Sequence, residues 1–127
     1  MLNLSSSGYA PDGGLYVPET LPTVSASTLK SWSGLSYPAL VTEVVSLFVG
    51  PEEISRAALE AMVAKAYTVF DDSEVCKVRG IDQGLMVAEL FHGPTLTFKD
   101  YALSLVGRMY DYFLAKREKH MTIVVGE

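Results

Sequence analysis

The spacing of apolar and polar positions divides the chain into stretches of different period. Leu40, Val41, Val44, Val45 and Phe48 recur at three-and-four spacing, which predicts an amphipathic helix. Tyr37-Pro38 opens it, with proline in the first turn, where its missing N–H breaks no intrahelical bond. Gly50 is expected to end it. Pro51, Glu52 and Glu53 predict the start of a second helix, with acids at the positive end of the dipole. Ile54, Leu59, Met62, Val63, Ala66, Tyr67 and Phe70 supply its buried side, and Asp71-Asp72-Ser73 its close. The middle of the chain thus reads as a helical hairpin. Upstream, residues 5–22 are rich in Gly, Pro and Ser, with a Pro-Asp-Gly-Gly turn at 11–14. Leu15-Tyr16-Val17 reads as a short strand stopped by Pro18. Ser27 or Thr28 is the expected cap of a brief helical turn reaching Trp32.

After Ser73 the period shifts towards two. Residues 75–78 and 85–91 read as strands of a hairpin joined by a longer loop, Arg79-Gly80-Ile81-Asp82-Gln83-Gly84. A turn at His92-Gly93-Pro94-Thr95 leads into a long helix over 100–116. Leu103, Val106, Tyr110, Phe113 and Leu114 are its predicted apolar face. Asp100 at its start and Lys116, Arg117, Lys119 and His120 at its end match the dipole. Residues 121–125 form an apolar run of strand type. Strand, turn, helix, strand is a βαβ unit, whose parallel strands are buried on both faces and need more neighbours than two. The chain is therefore expected to stop soon after a doubly wound sheet begins. The unpaired edge at 121–125 and an uncovered helix face would then invite self-association.

Composition narrows the function classes. The chain has 127 residues, 49% hydrophobic and 20% charged, with net charge −5. Its pI is about 5.0 and its mean hydropathy +0.23. These values fit a folded domain and argue against a general nucleic-acid or anionic-membrane binder. No apolar run approaches the roughly 18 residues of a membrane span, and the first 15 residues do not read as a signal peptide. Cys76 is the only cysteine, so no internal disulfide framework exists. With two histidines, a zinc site is not expected. The default is an aqueous, reducing, cytoplasmic setting.

Ligands of open α/β sheets sit beyond the carboxyl ends of the strands. That zone holds residues 92–99 and Gly126-Glu127. Lys99 stands out there. A cation at the start of a helix meets the unfavourable end of the dipole, and that field with partial burial would free its amine for Schiff-base chemistry. The alternative is a solvated lysine paired with Asp100. His92 would donate to a phosphate or carboxylate, or else bond local backbone. Cys76 reads as a small buried hydrophobe, and Asp71, Asp72 and Glu74 as a solvated helix end.

The run Glu89-Leu90-Phe91-His92-Gly93-Pro94-Thr95-Leu96-Thr97-Phe98-Lys99-Asp100 resembles the pyridoxal-phosphate lysine motif of the threonine synthase family. The Asp-Gly-Gly-Leu-Tyr-Val-Pro run at 12–18, residues 32–37, the 103–114 helix and 122–126 are similar to the same family, animal threonine synthase-like proteins in particular. The resemblance implies an α/β fold. An N-terminal helical domain with a β-hairpin, residues 1–84, would precede the incomplete first βαβ unit of a pyridoxal-phosphate fold type II (tryptophan-synthase-β-like) domain at 85–127. It implies that Lys99 is catalytic and holds pyridoxal 5'-phosphate as an internal aldimine, with Phe98 walling the cofactor and His92 and Thr95 binding substrate. The implied parent is a phospho-lyase acting on O-phosphohomoserine or a similar phosphorylated amino acid. Family members continue with a Thr-Ser-Gly-Asp-Thr-Gly-like loop where this chain has Gly126-Glu127, and a Ser-Thr-Arg-Gly strand where it has residues 1–7. Thr97 replaces the commoner alanine. These departures read as a truncated product, inactive alone, or as a non-catalytic variant acting as a protein-interaction or signalling module.

Overall fold

A computed structural model describes residues 10–124, which divide into two compact units, one ending at Leu59 and the other beginning at Glu60. Helices α1 (Ala26–Trp32) and α2 (Tyr37–Ser46) lie in the first unit, and α3 (Arg56–Tyr67) crosses the division. Strands β1 (Lys77–Asp82) and β2 (Leu85–Glu89) and helix α4 (Lys99–Lys116) follow in the second.

In the first unit, serines set the helix starts. Ser25, not Ser27 or Thr28, caps α1, its hydroxyl accepting from the Thr28 N–H at 3.1 Å. Ser36 caps α2, and Pro38 sits in the first turn as expected. The third helix starts later than Pro51-Glu52-Glu53 suggests. The amides of Glu53 and Ile54 both bond back to Gly50, closing a separate turn. Ser55 then accepts from the Ala58 N–H at 3.3 Å, so α3 begins at Arg56 with no acid in its first turn. Arg56 pairs with Glu43 on α2.

The inner side of α2 is also rotated from the expected stripe. Thr42 is the buried residue, its hydroxyl donating to the Pro38 carbonyl at 3.0 Å. Val44 lies about 200° further round the helix and is exposed, as is Phe48. Leu15-Tyr16-Val17 joins no ladder, and all three side chains are exposed, because no described strand offers a partner.

In the second unit, β1 and β2 pair antiparallel, with Lys77 opposite Glu89 and Gly80 opposite Met86. The connection is tighter than the predicted loop of residues 79–84. Arg79 to Asp82 belongs to the strand, and only Gln83 and Gly84 turn the chain. Gly84 takes φ +75°, a region open to glycine without steric cost. Asp82 accepts from the Gln83 N–H at 2.7 Å, and Ile81 is the extra residue of a bulge.

Helix α4 buries Tyr101, Leu105 and Phe113, whereas Leu103 and Val106, expected inside, face solvent. Tyr101 fixes the rotation. Its hydroxyl donates to the carbonyls of Val75 at 2.7 Å and Glu89 at 3.1 Å, so position 101 faces inward and 103 outward. Beyond the helix, residues 121–124 run outside any ladder. A parallel strand needs a neighbour, and Val125, the rest of that predicted strand, lies outside the described residues, as does Gly126-Glu127. Among the described residues, no helix is long and apolar enough to cross a membrane.

Candidate functional site

The segment between β2 and α4 is bonded to itself and to the chain behind it. His92 stands where β2 ends, its side chain 12% exposed. Its Nδ1 lies 2.9 Å from Asp71 and its Nε2 2.8 Å from Glu89. The His92 carbonyl accepts from the Asp71 N–H at 3.0 Å. A neutral imidazole has one donor, and here both ring nitrogens face carboxylates, so the charged ring satisfies both. The hydrogen bond to Glu89 raises the His92 pKa above the ordinary histidine value, and Asp71 adds to this. In return His92 lowers that of Glu89, which also pairs with Arg79 across the strands. Asp71 and Asp72 are therefore not a merely solvated helix end. Asp72 accepts from the Lys77 ammonium at 2.7 Å, which lowers its pKa.

Gly93 follows, and then the chain doubles back. Thr95 donates twice to Asp100, from its hydroxyl to Oδ1 at 2.6 Å and from its N–H to Oδ2 at 2.9 Å. Asp100 is buried, and the Thr95 hydroxyl lowers its pKa. Leu96 takes φ +59°, a left-handed conformation disfavoured for a branched residue. Tyr67 donates to the Tyr101 carbonyl at 2.9 Å, and Phe70 packs edge-on against both rings, at 5.3 and 4.9 Å between centroids.

Lys99 is the first residue of α4, and its side chain is exposed, not partly buried as expected, because Asp100 and Tyr101 take the inward positions of the first turn. Its ammonium has no hydrogen-bond or ion-pair partner among the described residues. Lys99 is solvated, as the alternative supposed, but no Lys99–Asp100 pair forms; the Asp100 carboxylate turns back to Thr95 instead. Phe98 beside it is 66% exposed. Lys99 and Phe98 are thus exposed next to each other, after a turn held by the hydrogen bonds of His92 and Thr95. Sequence reading missed Glu89, Asp71, Asp100 and Tyr101 as its supports. Asp100 carried a signal, five residues after a threonine and directly after the singled-out lysine. Cys76 is partly buried, which raises its thiol pKa.

The titrating cluster predicts a stability profile. Glu89 and Asp100 have lowered folded values, so their contributions are present above the ordinary carboxylate range and lost as pH falls through the lowered values. His92 has a raised folded value, so its contribution is full below about pH 6.5 and lost as pH rises through the raised value. The melting temperature is expected to be highest between about pH 4.5 and 6.5. His92→Gln should flatten the alkaline limb and shrink the Glu89 part of the acid limb, leaving the Asp100 part. An unchanged alkaline limb would count against the charged His92 bridge.

This strand–turn–helix, with a helical unit before it, is the architecture of the N-terminal region of threonine synthases. The structure superposes on threonine synthase from yeast with TM-score 0.81 and 39% identity, covering 86% of this chain and 22% of that one. On pyridoxal-phosphate-bound threonine synthase from Brucella melitensis the TM-score is 0.83 and the identity 44%, covering 87% and 24%. Threonine synthase-like 2 of Xenopus laevis is 47% identical over 120 residues, and that of Homo sapiens 48%. Each alignment covers 94% of this chain, which spans about a quarter of the length of those relatives. The family described as "Threonine synthase N terminus" matches residues 3–67, and the chain belongs to that family.

Proposed function

We propose that the chain supplies the N-terminal region and the cofactor lysine of a pyridoxal-phosphate-dependent enzyme acting on O-phosphorylated amino acids, O-phosphohomoserine or a similar compound. One observation carries this reading. Lys99 presents an exposed, unpartnered side chain from a helix start, after a turn held by the His92–Glu89 and Thr95–Asp100 hydrogen bonds. That donor set fits the cofactor, since a primary amine is what an aldehyde takes. When bound, the cofactor serves as an electron sink for carbanion chemistry.

The chain's own residues have separable tasks. Lys99 would hold the cofactor covalently, and its amine would carry protons between substrate atoms. The exposed Phe98 ring would wall one side and exclude water. His92 and Thr95 were expected to meet substrate, but their hydrogen bonds support a role in holding the turn. We assign residues 1–84 to the preceding domain and 85–127 to the start of the catalytic one, within a fold type II enzyme. Elimination of phosphate would need groups that hold the substrate, and we place these in the remaining length of the relatives. A reducing, cytoplasmic compartment suits the free Cys76 thiol.

Titrating the purified chain with pyridoxal phosphate, read by the change in cofactor absorbance on covalent attachment, tests this. A saturable change that Lys99→Ala removes is expected. An identical titration in Lys99→Ala would overturn the reading.

A further inference from the structure

We propose that Asp100 is a positioning residue for Lys99, acting as a latch that returns from the helix to the turn before it. Helix α4 lacks a conventional start. Phe98 stands at the cap position in helical conformation and makes no side-chain capping bond. The latch comes instead from inside the first turn. The Asp100 carboxylate reaches back to accept the Thr95 N–H and hydroxyl at 2.9 and 2.6 Å. The Asp100 N–H bonds to the Thr97 carbonyl at 3.1 Å. The ring so closed, residues 95–100, contains Lys99.

Three further features make this a built device. Gly93 leaves room for it, because a Cβ there would lie 2.4 Å from the Asp100 Cβ. Leu96 is held at φ +59° inside the ring, a conformation that persists only where its surroundings impose it. Finally, adjacent helical residues point about 100° apart. With Asp100 drawn inward, Lys99 is turned away from that direction on the side opposite Tyr101, and its side chain is exposed. The latch thus fixes the backbone from which the amine reaches its target. This role rests on the reading of Lys99 as the cofactor lysine, while the latch itself does not.

The test compares the full chain with Asp100→Ala, Thr95→Val and Thr95→Ser by two readouts. The first is amide hydrogen exchange. Residues 95–101 should exchange about tenfold faster in Thr95→Val, the scale of one lost hydrogen bond to a charged group, and faster still in Asp100→Ala, which loses both bonds, with residues 106–114 unchanged. The second is labelling of Lys99 by pyridoxal phosphate followed by borohydride, well below the melting temperature. Selectivity for Lys99 should fall by a similar factor in both variants, and Thr95→Ser, which keeps the hydroxyl, should restore it. If Asp100→Ala does not fold, the Thr95 pair decides. Unchanged exchange at 95–101, or Thr95→Ser behaving like Thr95→Val, overturns the proposal. Unchanged Lys99 selectivity alongside faster exchange overturns the positioning role and leaves a structural latch. If the native chain shows no selective labelling, the reading of Lys99 fails, and exchange alone decides the latch.

Discussion

Gly93→Ala is expected to destabilise the chain by about 2 kcal/mol and to cost Lys99 its defined setting. The added Cβ would lie 2.4 Å from the Cβ and Oδ2 of Asp100 and 2.7 Å from its Cγ. No rotamer of Asp100 relieves a clash with its own Cβ, which is fixed to the first turn of α4. The helix start must therefore move, or Asp100 must leave Thr95. Gly107→Ala is the matched control. Nothing lies within 4 Å of a Cβ built there, inside α4. Alanine is the better helix former by about 1 kcal/mol, so that variant should be more stable than the native chain. Urea unfolding of both measures the contrast. Equal stabilities would mean that the turn does not approach the helix as described.

Leu59→Ala should lower stability by about 2–5 kcal/mol, the range for truncating a fully buried leucine. Leu59 is 2% exposed and sits on α3. Removing its three outer carbons forfeits their transfer out of water and leaves a cavity that helix packing closes only in part. Leu103→Ala makes the same chemical change at a residue 60% exposed, and should stay within about 0.5 kcal/mol. Urea midpoints of the pair check the burial pattern. A large loss at Leu103 and none at Leu59 would invert it.

Apolar spacing foretells burial on some of these helices and not on others. On α3 the period was decisive, because Leu59, Val63, Ala66 and Tyr67 are apolar at helical spacing and do face inward. On α2 and α4 it misled. A threonine can bury by bonding the carbonyl four residues back, as Thr42 does. A tyrosine can set a helix's rotation through its hydroxyl, as Tyr101 does. Neither effect enters an apolar count. The helix starts went to Ser25 and Ser55 instead of nearby candidates, because one hydroxyl at the right distance from an N–H outweighs a cluster of capping residues or acids. The hairpin was legible as a pair of strands but not its two-residue turn, since the Ile81 bulge hides the register.

The candidate site was legible as a motif and opaque as a machine. Lys99 stood out by its chemistry at a helix start. The partners that brace its setting did not, because Asp71 lies twenty-one residues from His92 and Val75 twenty-six from Tyr101. Contacts at such separations leave no local pattern. The resemblance to threonine synthases singled out the lysine, and the hydrogen bonds supply a physical reason for the glycine, threonine, histidine and aspartate around it.

The most direct test of Lys99 as the cofactor lysine is to map the covalent adduct. The chain is saturated with pyridoxal phosphate in the presence of competing free lysine, reduced with borohydride, digested and read by mass spectrometry. One dominant, saturable adduct at Lys99 is expected. Adducts spread evenly over Lys30, Lys65, Lys77, Lys99, Lys116 and Lys119 would contradict it.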